Sequence, residues 1–151
     1  MKIKSLIKGL AGGLCMALLC TAMPAFGQKP AAAGNADGFS LEINKAETHG
    51  QNCRIFLLAR NGQAHATTEF KLDLVSIGPD EIIQSRMLLD LGRLPAGKTR
   101  LKVFELAGLS CQSVSRLLLN DVTSCQFAGG HNADCLSLVS TSSRHSIGLV
   151  Q

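Results

Sequence analysis

TEFKLDLVSI, residues 68–77, sets Phe70, Leu72 and Leu74 in alternation with Glu69, Lys71 and Asp73. A period of two is the pleat of a β-strand that buries one face and wets the other; an amphipathic helix would repeat its apolar positions about every 3.6 residues. The same period recurs on both sides of this stretch. FSLEINKA, from Phe39, puts Phe39, Leu41 and Ile43 on one side and Ser40, Glu42 and Asn44 on the other, and CRIFLLAR, 53–60, is an apolar run with charged ends. EIIQSRMLLDL, TRLKVFEL and SRLLLNDV follow, separated by the turn sequences GPD, LPAGK and LAGLSCQ, and the Ser/Thr-rich CLSLVSTSSRHSIGLV supplies a closing strand. Strand after strand with short turns between predicts an all-β fold, an antiparallel β-sandwich of immunoglobulin-like or related type. CQSVSRLLLNDV, with its triplet Leu117–Leu119, is the place where one short helix fits.

The chain divides into three parts. Residues 1–27 read as a secretory signal peptide: MKIKSLIK carries three lysines and no acid, an apolar run follows, and Ala25-Phe26-Gly27 puts small residues at −3 and −1 of a cleavage site near Gly27. That run is broken by glycines and stops at Pro24, short of the roughly 20 residues of a membrane span, so no span is expected in the mature protein. Residues 28–38, QKPAAAGNADG, have no apolar periodicity and read as a flexible leader. The folded domain is then 39–151, and the expected location is the periplasm.

Charge narrows the partners. The chain has 15 lysines and arginines against 11 acids, but Lys2, Lys4 and Lys8 belong to the signal, and removing these three leaves twelve against eleven. A nearly neutral domain with scattered charge does not fit nucleic-acid binding. The densest basic stretch is GRLPAGKTRLK, with Arg93, Lys98, Arg100 and Lys102; Arg100 and Lys102 share one strand face, and these four are the candidate partner-binding residues. The domain has neither Trp nor Tyr, which removes the usual sugar-stacking platforms and aromatic cages.

Four cysteines remain after the signal: Cys53, Cys111, Cys125 and Cys135. An even number in an exported chain predicts disulfides, with three connectivities open to four thiols. CQFAGGHNADC, 125–135, closes most easily on itself, because Gly129-Gly130 permits a reversal between its ends, and this leaves Cys53 to bridge Cys111. On the chain-entropy model the short loop contributes roughly 3 kcal/mol and the long one about 4. The same stretch read as a metal loop would use His131, Asp134 and two thiolates, but it lacks a paired Cys-x2-Cys spacing and a second cluster. No metal and no cofactor is expected. His49, His65 and His145 read as loop residues, and Ser142, Ser143 and His145 lack any nucleophile turn, so no catalytic residue is assigned.

Several motifs carry a resemblance. Cys53 opening a strand that ends in Asn61-Gly62, the Leu94-Pro95-Ala96-Gly97 turn, Leu109-Ser110-Cys111, Asn120-Asp121-Val122 and the last two cysteines resemble a family of small exported bacterial proteins with four mature cysteines. The resemblance spans most of the mature chain. It implies a disulfide-bonded envelope domain and brings no catalytic residue with it. The expected function is a non-catalytic interaction domain, an accessory of an envelope assembly or transport system, with another envelope protein as partner. A small-ligand or metal carrier and an enzyme with a site not visible in the sequence are the alternatives.

Overall fold

A computed structural model of the chain describes residues 37–130 and 134–151. The expected signal peptide and all but the last two residues of the expected leader lie outside them, as do His131 to Ala133 of the 125–135 loop. The described residues form eight strands: β1 (Phe39–His49), β2 (Asn52–Asn61), β3 (Thr67–Ile77), β4 (Ile83–Asp90), β5 (Thr99–Leu106), β6 (Arg116–Phe127), β7 (Val139–Ser143) and β8 (Gly148–Val150). They make two four-stranded sheets, in the orders β5-β2-β1-β7 and β4-β3-β6-β8. The neighbours β5-β2-β1 and β4-β3-β6 correspond to E-B-A and C′-C-F of an immunoglobulin-type sandwich.

The alternation in 68–77 holds where it was read. Phe70, Leu72 and Leu74 turn into the core, and so do Phe39, Leu41 and Ile43 of β1 and Ile55 and Leu57 of β2. The rings of Phe39 and Phe70 meet at 4.5 Å between centroids, joining the two sheets near one end of the sandwich. From Asp73 onward the outer face of β3 is covered as well: Asp73, on the outer face by its parity, is only 1% exposed, and Val75 is buried too. A register shift between Ile43 and Lys45 bends β1, so that Ala46 takes the inward place in its second half.

Two segments depart from the simplest reading. CQSVSRLLLNDV is helical only over Cys111–Ser113, a single 3-10 turn, and Leu117 to Leu119 lie in β6. The closing segment is two short strands in different sheets: β7 runs parallel to β1, the chain reverses at Arg144–Ile147, and β8 runs parallel to β6. The serines and threonines of this segment explain the split. Ser143 Oγ donates to the Ile147 carbonyl at 2.6 Å and accepts from the His145 amide at 3.1 Å, while His145 Nδ1 accepts from the Ile147 amide at 3.2 Å. Such side-chain bonds to nearby backbone hold a turn where a continuous strand would otherwise run.

Both disulfides form as the spacing suggested. Cys53 bonds Cys111 with Cα atoms 4.7 Å apart, fixing the crossover between β5 and β6 to the start of β2. Cys125 bonds Cys135 with Cα atoms 6.2 Å apart, tying the end of β6 to the entry of β7. One bond therefore secures each end of the sandwich.

Candidate functional site

The four basic residues singled out in the sequence fall on β5 and the loop that enters it. β5 ends its sheet and pairs only with β2, in an unbroken register from Cys53↔Leu106 to Arg60↔Thr99. Phe104 and Leu106 point into the core, and Arg100 and Lys102 share their parity, opposite the buried Ala59 and Leu57. The two cations do share a face, as read from the sequence. It is the inward face, at the border of the sandwich where nothing covers an edge strand. The outward face of β5 is apolar at its middle, between Thr99 and Glu105: Leu101 is 58% exposed and Val103 43%. Across the register Leu58 stands opposite Leu101 and Phe56 opposite Val103, both half-buried, and the Lys45 ammonium lies 5.0 Å from the Phe56 ring.

The loop before β5 is held from below. Asn61 is fully buried at the end of β2; its Nδ2 donates at 3.0 Å to the carbonyls of His65 and Leu94, and its Oδ1 accepts from the Gln63 amide at 2.8 Å. Leu94 is buried, and its amide donates to Thr67 Oγ1 at 3.2 Å. The Lys98 amide closes a turn on the Pro95 carbonyl at 3.2 Å, and Gly97 supplies the φ of 65° that the third turn position needs. These bonds account for the Asn61-Gly62 and Leu94-Pro95-Ala96-Gly97 motifs. They set Arg93 and Lys98, both exposed, on a fixed frame beside Arg100.

Charge pairing separates this region from the rest. Eleven lysines and arginines are described, and six of them meet a carboxylate: Lys45 with Glu47, Arg54 with Glu105, Lys71 with Glu69, Arg86 with Asp73, Arg116 with Glu81, and Arg144 with Glu42. The other five are Arg60, Arg93, Lys98, Arg100 and Lys102, and all sit at one end of β2 and β5 or in the loop between β4 and β5. Asp37 and Asp90 flank this end without reaching any of the five. β5 has one acid, Glu105, at its far end, and it is occupied: it accepts from Asn52 at 2.7 Å and from Arg54 at 3.0 Å, and His49 Nδ1 lies 2.9 Å from it. The Asn52 amide, then Arg54, hold its carboxyl below the usual glutamate range. Sequence reasoning passed over Arg60, Phe56, Leu58, Leu101 and Val103. Arg60 and the apolar four join the site only through the β2–β5 register.

Other polar clusters are engaged in holding the fold. Arg86 donates to both oxygens of Asp73 at 2.9 and 2.8 Å, and Asn120 adds a third bond at 2.6 Å. Arg86 first, and Asn120 after it, keep the Asp73 carboxyl below its ordinary range. Arg86 and Asp73 also border a shallow depression of about 280 Å³ with Met87 and Leu88. A second depression, about 320 Å³, lies at the opposite end, where Glu47, Thr48, Gln112 and His145 meet Cys111. Ser143 and His145, the nearest approach to a hydrolytic pair, are the groups that hold the turn between β7 and β8. Among the described residues no three His, Cys, Asp or Glu side chains converge as a metal site would need, and His131 lies outside those residues.

The architecture is that of a small disulfide-bonded β-sandwich domain with one uncovered, basic sheet edge. No protein-family model matches the chain, and no curated protein does. Among solved structures it is similar to IrmA from Escherichia coli, at 12% identity and a TM-score of 0.54, covering 72% of this chain and 93% of that one. At that identity the likeness is one of fold.

Proposed function

We propose that this chain is a non-catalytic interaction domain of the bacterial periplasm that docks another envelope protein, within an assembly or transport system, through the edge formed by β5 and the loop before it. The observation that carries this reading is the segregation of charge: every described lysine or arginine without a carboxylate partner lies at this edge, next to exposed apolar side chains. Surface cations are ordinarily solvated or ion-paired and scattered. Five gathered on one frame, with Arg100 and Lys102 on one face of the edge strand and Leu101 and Val103 on the other, give an open strand that offers both charged and apolar contacts, as protein interfaces do. The periplasmic location is supported by the signal-like residues 1–27 and the two disulfides, which persist in oxidising compartments. No helix among the described residues is long and apolar enough to cross a membrane.

The test is a double charge reversal. Arg100→Glu with Lys102→Glu should abolish recovery of the partner from envelope extract while the protein stays folded, with a stability loss of no more than about 1 kcal/mol because Arg100 is exposed and Lys102 half-buried. Unchanged recovery of the partner would refute the docking role of this edge.

A further inference from the structure

Resting on that docking reading, we infer that β5 is an acceptor strand: it takes an extended acidic segment of the partner, added antiparallel to the free edge of its sheet. The hydrogen-bond register carries the first part of the argument. The Asn61 amide donates to the Lys98 carbonyl at 2.9 Å, and Asn61 and Lys98 continue the register in which Arg60 faces Thr99. They are therefore a hydrogen-bonded pair, and such pairs alternate along an antiparallel ladder. Arg100, Lys102, Phe104 and Leu106 then bond to β2, which leaves the amides and carbonyls of Thr99, Leu101, Val103 and Glu105 directed at the open edge. Among the described residues no strand pairs with that side.

Side chains define what can be added. A strand bonded to the Leu101 and Val103 backbone sets the side chains of its own bonded residues on the outer face, beside Leu101 and Val103, and these should be apolar. Its intervening residues fall on the other face, next to Arg100 and Lys102, and these should be acidic. The complement of β5 is an alternation of apolar and acidic residues. A second copy of β5 is the wrong complement, because two such edges set Arg100 and Lys102 against their own images, and like charges opposite one another destabilise a pair. The cations thus block self-pairing, as charges on natural edge strands do, while leaving the edge open to an acidic strand. β4, the terminal strand of the other sheet, lacks this design. Its register with β3 shifts between Ser76 and Ile77, and its one arginine, Arg86, is held by Asp73.

The probe is a short dye-labelled peptide alternating valine and glutamate, titrated by fluorescence anisotropy into the purified disulfide-bonded protein. Two further versions carry N-methyl groups, one on every valine nitrogen and one on every glutamate nitrogen. The parent should bind, and Arg100→Glu with Lys102→Glu should weaken it by about tenfold or more. N-methylation of the valines removes the amides that would face β5 and should weaken binding by at least about tenfold, whereas N-methylation of the glutamates should change it by less than about threefold. Equal binding by both methylated peptides, loss confined to the glutamate-methylated one, or no binding by the parent would each overturn strand addition. So would sedimentation showing that the protein pairs with itself through β5, or capture by anionic phosphatidylglycerol vesicles that the parent peptide cannot displace. Failure of the peptides while the double reversal still abolishes partner recovery rejects the strand mode alone; unchanged partner recovery rejects the docking reading beneath it.

Discussion

On one long side of the sandwich the chain rises as β7 beside β1, reverses at Arg144–Ile147 and descends as β8 beside β6, so that one short segment borders both sheets. On the other long side β4 and β5 end their sheets separately. The closed side directs its polar groups at itself. Ser143 and His145 hold the turn, Arg144 pairs with Glu42 at 2.9 Å, and Ile147 plugs the core at 1% exposure. The open side displays Ile82, Ile83, Leu88, Leu101 and Val103, and its β5 half adds the unpaired cations. An edge strand is a template for pairing that proteins ordinarily cover or blunt. One side of this domain is covered by its own chain, and the β5 side stays open and carries the unpaired cations.

Substitutions of similar chemistry on the two sides should behave very differently. Ile147→Ala empties a core position under the closed side and should cost about 2–5 kcal/mol in urea denaturation, whereas Leu101→Ala should stay within about 0.5 kcal/mol. Comparable losses from the two would mean that the open side is packed after all. Cys125→Ser should cost on the order of 2–4 kcal/mol and expose one titratable thiol, Cys135, because the lost bond ties β6 to the entry of β7. If all remaining thiols stay unreactive, the pairing is different.

The frame under the open side is polar, and its loss should be smaller. Asn61→Ala leaves the buried carbonyl of Leu94 without its side-chain donor and should cost roughly 1–3 kcal/mol, while amides of 91–98 exchange faster with deuterium. An unchanged exchange pattern would show that Asn61 does not hold the loop. Smaller still is a dependence on acid. Asp73 and Glu105 have carboxyls held below their ordinary values in the folded chain, so they bind protons less readily there than in the unfolded one. Their contribution is present above the unfolded values, about 4, and is lost as pH falls through the folded ones. The urea midpoint should therefore drop on acidification below about pH 4, and Asp73→Asn should flatten that drop. A slope unchanged in Asp73→Asn would remove Asp73 from the linkage.

Local periodicity made much of this fold legible. Phe70, Leu72 and Leu74 declared their face within a few residues, and the spacing of Cys125 and Cys135 around Gly129-Gly130 indicated a bond that needs only a turn to close. What stayed hidden depends on contacts between distant segments. Asp73 reads as a wetted strand position, and its burial comes from Arg86 and Asn120 reaching over it from β4 and β6. The split of the closing segment follows from Ser143 and His145 binding backbone, a choice that composition alone does not reveal. For the candidate site the sequence indicated Arg93, Lys98, Arg100 and Lys102 because they are neighbours in the chain. It could not show that Arg60 joins them across β2 and β5, that all five lack carboxylate partners, or that Leu101 and Val103 take the outer face. Those facts belong to the register.

The difference between the two long sides is tested most directly by crosslinking in intact cells. A photoreactive side chain placed at Val103, 43% exposed on the open side, is compared with one at Val150, 36% exposed on the closed side. The account predicts a discrete protein adduct from position 103, its loss when Arg100→Glu and Lys102→Glu are added, and no adduct from position 150. No adduct from 103, or an equal adduct from 150, would contradict the assignment of the β5 edge as the docking surface.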